Sequence, residues 1–216
     1  MARLVGKAVL VTGSGTPLMQ ALGRKLEAEG ARVVRGDFVV SPAAEVLLLP
    51  RTADEERWRA AIATVVERHG RFDGLVLAPP PVATRAVTDW AFADWQAFEE
   101  AHLISPWLAI KHAIVALRTQ GKGGAIVAIS STLARMGRVG GAANAAVAGG
   151  LRIMMQAAAL ECGEKADGIR LNQIQIDLDM PIPTGNVVDA SIHLLSDAAT
   201  FMTASDLVID SGALAG

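Results

Sequence analysis

The chain has 216 residues, 51% of them hydrophobic and 19% charged, and this composition suits one compact domain over residues 1–216. Its formal net charge of −2 lacks the excess positive charge that nucleic acid or acidic lipid requires, so we expect neither partner. The single Cys162 excludes an intrachain disulfide, and the apolar run at 8–11 is too short for a secretory signal. We therefore expect a cytoplasmic protein.

Apolar strands alternate with helices in the first half of the chain. The predicted strands cover 7–12, 32–35, 45–49 and 75–78, and the predicted helices cover 17–29 and 54–69. Asp54 is the expected N-cap of the second helix and Gly70 its stop. The gap at 38–44 is too short for the helix that usually joins parallel strands, so the second crossover is shortened.

The second half continues the alternation. A long helix lies between 90 and 120, bent near Pro106, and further elements are predicted at 125–130 (strand), 144–163 (helix), 170–176 (strand), 187–195 (helix) and 207–209 (strand). Asn144, Arg152 and Gln156 argue against a membrane span in the apolar stretch 142–160. This order predicts an α/β fold with a doubly wound parallel sheet.

Six short stretches carry a resemblance to a known family. They are LVTGSG (10–15), HGRFDGLVLA (69–78), GGAIVAISS (123–131), AAALE (157–161), GIRLNQI (168–174) and LVIDSG (207–212). Over roughly 4–212 the chain resembles the short-chain dehydrogenases/reductases, which implies a Rossmann-like sheet and an NAD(P)-dependent oxidoreductase ancestry. Fold does not determine function, so each site position is considered separately.

The glycine turn that receives the cofactor pyrophosphate in this family is only partly kept. Gly13 stands at the first glycine position, while Pro17 and Met19 replace the later glycines. Pro17 removes an amide donor from a helix N-terminus that would face phosphate. Gly15 gives a weak glycine spacing of its own. We interpret Gly13 and Gly15 as vestigial and expect no cofactor in this chain.

The other positions that contact the cofactor in this family also match it only in part. Asp37 stands where the family carries an acidic residue for the adenosine ribose, although a solvated loop aspartate is an equal alternative. Pro50 or Arg51 replaces the family's adenine-contacting aspartate. The nicotinamide turn is replaced by the apolar, stiff stretch 77–80.

The resemblance assigns four catalytic positions, and three of them carry a different residue. Ser131 fits the family serine, but Asn144 stands at the tyrosine position and Ala148 at the lysine position. An amide cannot transfer protons near neutral pH, and the chain contains no tyrosine. His102 occupies the relay asparagine position. It could serve as a general base, although a packed helix histidine is the favoured interpretation.

Other chemistry is also unsupported by the sequence. Ser131 lacks a nucleophile elbow, and no Cys/His spacing suggests a metal. The segment 177–185 leads directly into the last helix, so the substrate lid of the family is missing and one pocket wall with it.

These losses lead to the hypothesis of a non-catalytic structural or regulatory subunit in a hetero-oligomeric short-chain dehydrogenase. An active homologue, in a heterotetramer, would carry NAD and the alcohol oxidation, as in bacterial degradation of benzylsuccinyl-CoA-type thioesters. The predicted contacts are the helices at 90–118 and 144–162 and the C-terminal strand. Two alternatives stay open: an atypical NAD(P)-dependent oxidoreductase with non-standard site residues, or a ligand sensor with a degenerate pocket.

Overall fold

Seven parallel strands form the centre of the molecule. The computed structural model describes residues 2–39, 46–78, 81, 83–178 and 180–215. The strands are β1 (Ala8–Val11), β2 (Arg32–Asp37), β3 (Leu47–Leu48), β4 (Gly74–Leu77), β5 (Gly124–Ser131), β6 (Ile169–Ile176) and β7 (Asp206–Ile209). The helices are α1 (Pro17–Ala28), α2 (Glu55–His69), α3 (Phe92–Glu99), α4 (Ser105–Gln120), α5 (Ala142–Glu164) and α6 (Thr184–Leu195).

The sheet has the order β3-β2-β1-β4-β5-β6-β7 and every described pair is parallel. One apolar core packs α2, α4 and α5 against one face, and a second packs α1 and α6 against the other. Burial on both faces explains why the central strands read as continuous apolar runs. The predicted doubly wound α/β fold is confirmed, and its strand order reverses between β1 and β4.

Helix α2 begins and ends where the sequence predicts. The Asp54 carboxylate accepts a hydrogen bond of 3.0 Å from the Arg57 backbone N–H. Gly70 adopts a left-handed conformation with φ of 72° and donates its N–H to the Val66 carbonyl. Glycine pays no Cβ penalty there, so it ends the helix cleanly.

The second crossover is short. Strand β3 pairs in parallel with β2, with Gly36 opposite Leu47, and only nine residues separate the two strands in the sequence. The strand predicted from residue 45 is two residues long, and residues 40–45 of the crossover lie outside the described residues. The lid segment is also short, since α6 starts at Thr184 soon after β6 ends at Ile176.

The bend predicted near Pro106 takes the form of a π-helical turn over Glu100–Ile104, which joins α3 to α4. The Ser105 N–H donates to the Glu100 carbonyl, five residues earlier. Pro106 has no N–H for the His102 carbonyl, which an ordinary α-helix would require. Such π-bulges often mark functional positions, and this one displaces His102 from the regular helix.

Helix α5 is not buried on all sides, although most of its residues are apolar. Its polar positions have partners: the Arg152 Nε donates to the Asp206 carboxylate at 2.6 Å and Gln156 donates to the same oxygen at 3.2 Å. Ile153 and Leu160 face solvent. Across the described part of the chain, no helix has both the length and the apolar character needed to cross a membrane.

Candidate functional site

A cavity of about 650 Å³ opens at the carboxyl ends of β1, β2 and β4. This is the point at which the strand order reverses, the usual ligand position in open α/β sheets. Its size falls within the range of small-molecule sites. The wall is mainly apolar and includes Phe38, Trp58, Leu77, Leu151, Leu178 and Ile182.

The glycine turn after β1 forms one end of this cavity. Gly13 has φ of +63°, and a Cβ there would lie 2.6 Å from the Ala78 Cβ. The Thr16 hydroxyl donates to the Gly13 carbonyl at 3.1 Å and accepts the Met19 N–H at 3.4 Å, which caps α1. Pro17 occupies the first helical position, where a missing N–H is tolerated. The turn therefore keeps its shape without the later glycines.

Asp37 lies beside this turn, buried in the cavity wall at the end of β2. Its Oδ1 accepts a hydrogen bond of 2.7 Å from the Phe38 N–H. Gly15 stands against the same carboxylate, and its missing side chain allows that approach. The alternative of a solvated loop aspartate does not describe this position.

His102 lines the opposite part of the cavity. Burial, and then the nearby positive charge of Arg51, lowers the pKa of His102 to about 4. The imidazole is therefore neutral at pH 7 and can both donate and accept a hydrogen bond. Its ring lies 4.5 Å, centroid to centroid, from the Phe98 ring. The Arg51 guanidinium lines the same cavity, 5.5 Å from the centre of the Phe38 ring.

A buried hydrogen-bond chain fixes the wall near His102. The Trp58 Nε1 donates to the Ser105 Oγ at 2.9 Å, and this hydroxyl donates to the Pro50 carbonyl at 2.8 Å. The chain connects α2, the start of α4 and the end of β3. Because Arg51 follows Pro50, this chain also holds the backbone that carries Arg51.

The remaining family positions are not part of the cavity lining. The Ser131 Oγ accepts the Leu133 N–H at 3.1 Å in a buried strand end. Asn144 donates from Nδ2 to the Pro81 carbonyl and accepts the Ala83 N–H at Oδ1, both at 2.9 Å. Ala148 is buried in the core. The structure thus brings Gly13, Asp37 and His102 to one cavity and leaves these three outside its wall.

Sequence reasoning missed several wall residues. Leu178 and Ile182 lie in the short segment after β6 and line the cavity. The expectation of a missing wall is therefore wrong, because seven residues suffice to place two apolar side chains there. Trp58 and Ser105 gave only weak sequence signals, a buried aromatic and a serine before Pro106. Among the described residues, no three His, Cys, Asp or Glu side chains form a metal-sized cluster.

The parallel sheet, its reversal point and the cavity there define a Rossmann-type α/β protein. Residues 19–185 match the family described as enoyl-(acyl carrier protein) reductase. The chain therefore belongs to the short-chain dehydrogenase/reductase family.

Individual relatives agree with this assignment. The 2,5-dichloro-2,5-cyclohexadiene-1,4-diol dehydrogenase LinX of Sphingobium indicum is 29% identical over 97% of both chains. The 3-alpha-(or 20-beta)-hydroxysteroid dehydrogenase of Mycobacterium tuberculosis is 28% identical over 99% of this chain and 92% of its own. A short-chain dehydrogenase structure from Mycobacterium smegmatis superposes with a TM-score of 0.88 at 25% identity, over 96% of this chain and 93% of that one.

These relatives overturn the hypothesis of a non-catalytic subunit. Both curated relatives are named as dehydrogenases, and each aligns over nearly the whole length of this chain. Losing the tyrosine removes one proton donor on α5 but does not remove the cavity or the groups that line it. The alternative of an atypical oxidoreductase is the better interpretation.

Proposed function

We propose that the chain is an atypical NAD(P)-dependent oxidoreductase that acts on a hydroxyl or carbonyl group of a largely apolar ring compound. One observation carries the proposal. A single cavity is lined by the glycine turn, the Asp37 carboxylate and the His102 imidazole, and the rest of its wall is mainly apolar.

The residues at the glycine turn fit the adenosine half of a dinucleotide. Gly13 has the left-handed conformation of the turn, and a side chain there would overlap Ala78. Asp37 offers a buried carboxylate whose second oxygen could accept from ribose hydroxyls. Helix α1 begins after Thr16, and its N-terminal dipole favours phosphate although Pro17 contributes no N–H. When bound, the nicotinamide cofactor supplies or accepts the hydride.

The proton chemistry must differ from that of the family, because no tyrosine is available. His102 places its imidazole on the cavity wall. Neutral at pH 7, it can accept a proton from a substrate hydroxyl, which suits alcohol oxidation. A base whose pKa is about 4 is weak, so we expect slow turnover.

The wall supports an apolar ring substrate. Leu77, Leu151, Leu178 and Ile182 present aliphatic surface, and Trp58 adds an indole ring. The two curated relatives are named for a cyclohexadiene diol and for hydroxysteroids, both of which are ring alcohols. A cavity of this size and polarity suits ligands of that class.

The proposal is tested first by binding and then by turnover. Calorimetric titration with NADH and NADPH should give micromolar binding, weakened by Asp37→Asn and unchanged by Asp89→Asn, an exposed control. Oxidation of a 3α-hydroxysteroid or a cyclohexadiene diol should then depend on His102. Absence of NADH and NADPH binding would refute the proposal.

One observation favours a second candidate, a ligand-binding protein without turnover. Asn144, at the tyrosine position, is 0% exposed and its amide bonds to Pro81 and Ala83, so this position does not supply the proton donor of the family. Ligand binding with no cofactor oxidation or reduction, under conditions where a family enzyme turns over, would favour this candidate.

A further inference from the structure

We propose that Asn144 is a positioning residue that fixes Pro81 and Ala83 against the start of α5 and so determines which ligands the cavity admits. The inference rests on the proposed function only in treating the cavity as the ligand site. Asn144 stands where the family carries its catalytic tyrosine, and the proposed function gives it no other role.

The geometry is specific on both sides of the amide. The Nδ2 donates to the Pro81 carbonyl and the Oδ1 accepts the Ala83 N–H, each at 2.9 Å. Asn144 is 0% exposed. Pro81 lines the cavity. The two hydrogen bonds therefore link a fully buried side chain on α5 directly to a wall of the candidate site.

A second contact holds the same stretch of chain. The Arg85 N–H donates to the Gly140 carbonyl at 3.0 Å, just before α5 begins. Gly140 has φ of +73°, and a Cβ there would lie 2.9 Å from the Thr84 Cγ2. The backbone at Pro81, Ala83 and Arg85 is thus attached at three points to Gly140 and Asn144.

An amide is the side chain that suits this position. It presents one donor and one acceptor in a plane, which match a carbonyl and an N–H two residues apart. A carboxylate could accept from Ala83 but could not donate to Pro81. A tyrosine offers one hydroxyl on a large ring in place of a donor and an acceptor in one plane. A side chain that offers only a donor or only an acceptor would leave one of these backbone groups without its partner, so the match is selective.

The consequence concerns the cavity rather than overall folding. Removing the amide frees the Pro81 carbonyl and the Ala83 N–H together, and the wall at Pro81 loses its fixed position. Ligand groups near the glycine turn and Asp37 lie on other elements and should be unaffected. The variant should therefore discriminate between a long ligand and a short one.

The test compares Asn144→Ala with Asn172→Ala. Asn172 is a matched control, because it is also buried and its amide also joins two backbone groups, donating to Met202 at 2.8 Å and accepting from Ser205 at 3.1 Å. It does not line the cavity. Dissociation constants are measured for NADH and for AMP, and amide exchange at Ala83 is followed by NMR.

For Asn144→Ala we expect exchange at Ala83 to be at least tenfold faster, the NADH dissociation constant to rise at least fivefold, and the AMP constant to stay within twofold. Asn144→Asp should be intermediate. Asn172→Ala should lower the melting temperature without changing either constant. Unchanged exchange at Ala83, or equal weakening of NADH and AMP, would overturn the positioning role.

The outcomes separate this inference from the proposed function. If the wild-type chain binds AMP but not NADH, the oxidoreductase proposal fails while the exchange result still decides the role of Asn144. If NADH binds and Asn144→Ala leaves both its affinity and the Ala83 exchange unchanged, the oxidoreductase proposal stands and the positioning role is wrong.

Discussion

His102 lies in the π-helical turn, lines the cavity and is close to the positive charge of Arg51. Its position was marked by the family resemblance, but its chemistry depends on burial. Burial disfavours the imidazolium form, and the Arg51 charge adds to the effect. The neutral ring is therefore a property of the folded state and not of the residue type.

This difference makes stability depend on pH. The folded pKa of about 4 lies below the usual 6.5, so the unfolded chain takes up the proton first as the pH falls. Above pH 6.5 the titration of His102 does not change the free energy of unfolding. Between pH 6.5 and 4 it lowers this free energy as the pH falls. Urea unfolding at pH 7.5 and 5.0 should show that wild type loses roughly 1–2 kcal/mol more than His102→Asn. An equal loss in both proteins would contradict the burial of His102.

Gly13 provides a second prediction at this scale. An alanine there must adopt a left-handed conformation and overlap the Ala78 side chain. We expect Gly13→Ala to destabilise the protein by roughly 2–4 kcal/mol and to abolish dinucleotide binding. Gly163→Ala is the matched control, since a Cβ there has no neighbour within 4 Å and alanine favours a helix. Chemical denaturation measures both, and equal stability would contradict the turn geometry.

Among the elements, the turn between α3 and α4 places His102, Ser105 and Pro106 in the cavity wall. Pro106 interrupts the regular α-helical hydrogen bonding between α3 and α4, and Ser105 connects the start of α4 to Trp58 and Pro50. One hydroxyl thus joins three elements in the core. The same hydroxyl keeps both the His102 and the Arg51 backbone segments in place.

Ser105→Ala should therefore be costly. It leaves the Trp58 Nε1 without an acceptor and the Pro50 carbonyl without a donor, at an expected cost of about 2–3 kcal/mol. The control is Ser191→Ala, because the buried Ser191 hydroxyl donates at 2.7 Å to a carbonyl within its own helix. Thermal unfolding gives the two stabilities. Comparable small losses in both variants would show that the Trp58–Ser105–Pro50 chain is not important.

Across the whole molecule, α4 and α5 each expose large apolar side chains. Trp107 on α4 and Ile153 and Leu160 on α5 are 45%, 57% and 69% exposed. Helix α3 has no buried residue at all. The association predicted from the sequence through these helices stays a prediction.

Replacing Ile153 tests the association. We expect Ile153→Asp to reduce the molar mass measured by light scattering during size-exclusion chromatography, because a buried charge at an apolar interface is unfavourable. Val139→Asp is the control, since Val139 is 95% exposed and lies between β5 and α5, outside both helices. A monomeric wild type would refute association of the chain with itself, and co-purification would then test a homologous partner.

The sequence by itself determined the fold class, the helix caps at Asp54 and Gly70 and the bend near Pro106. These are local features, because apolar periodicity, capping groups and proline geometry act within a few residues. It also located Asp37 and His102 through the family resemblance. It could not show that both line one cavity, since strand ends distant in the chain meet only at the edge of the sheet.

Only the tertiary structure decided the roles of Asn144 and of the short segment after β6. The sequence marks Asn144 as a lost tyrosine, whereas its partners Pro81 and Ala83 are about 60 residues away and depend on how α5 packs against the sheet. Leu178 and Ile182 likewise close the cavity only because α6 docks next to α1. Hydrogen bonds and contacts between elements distant in the chain leave no periodic pattern in the sequence. They become visible only once the elements have packed together.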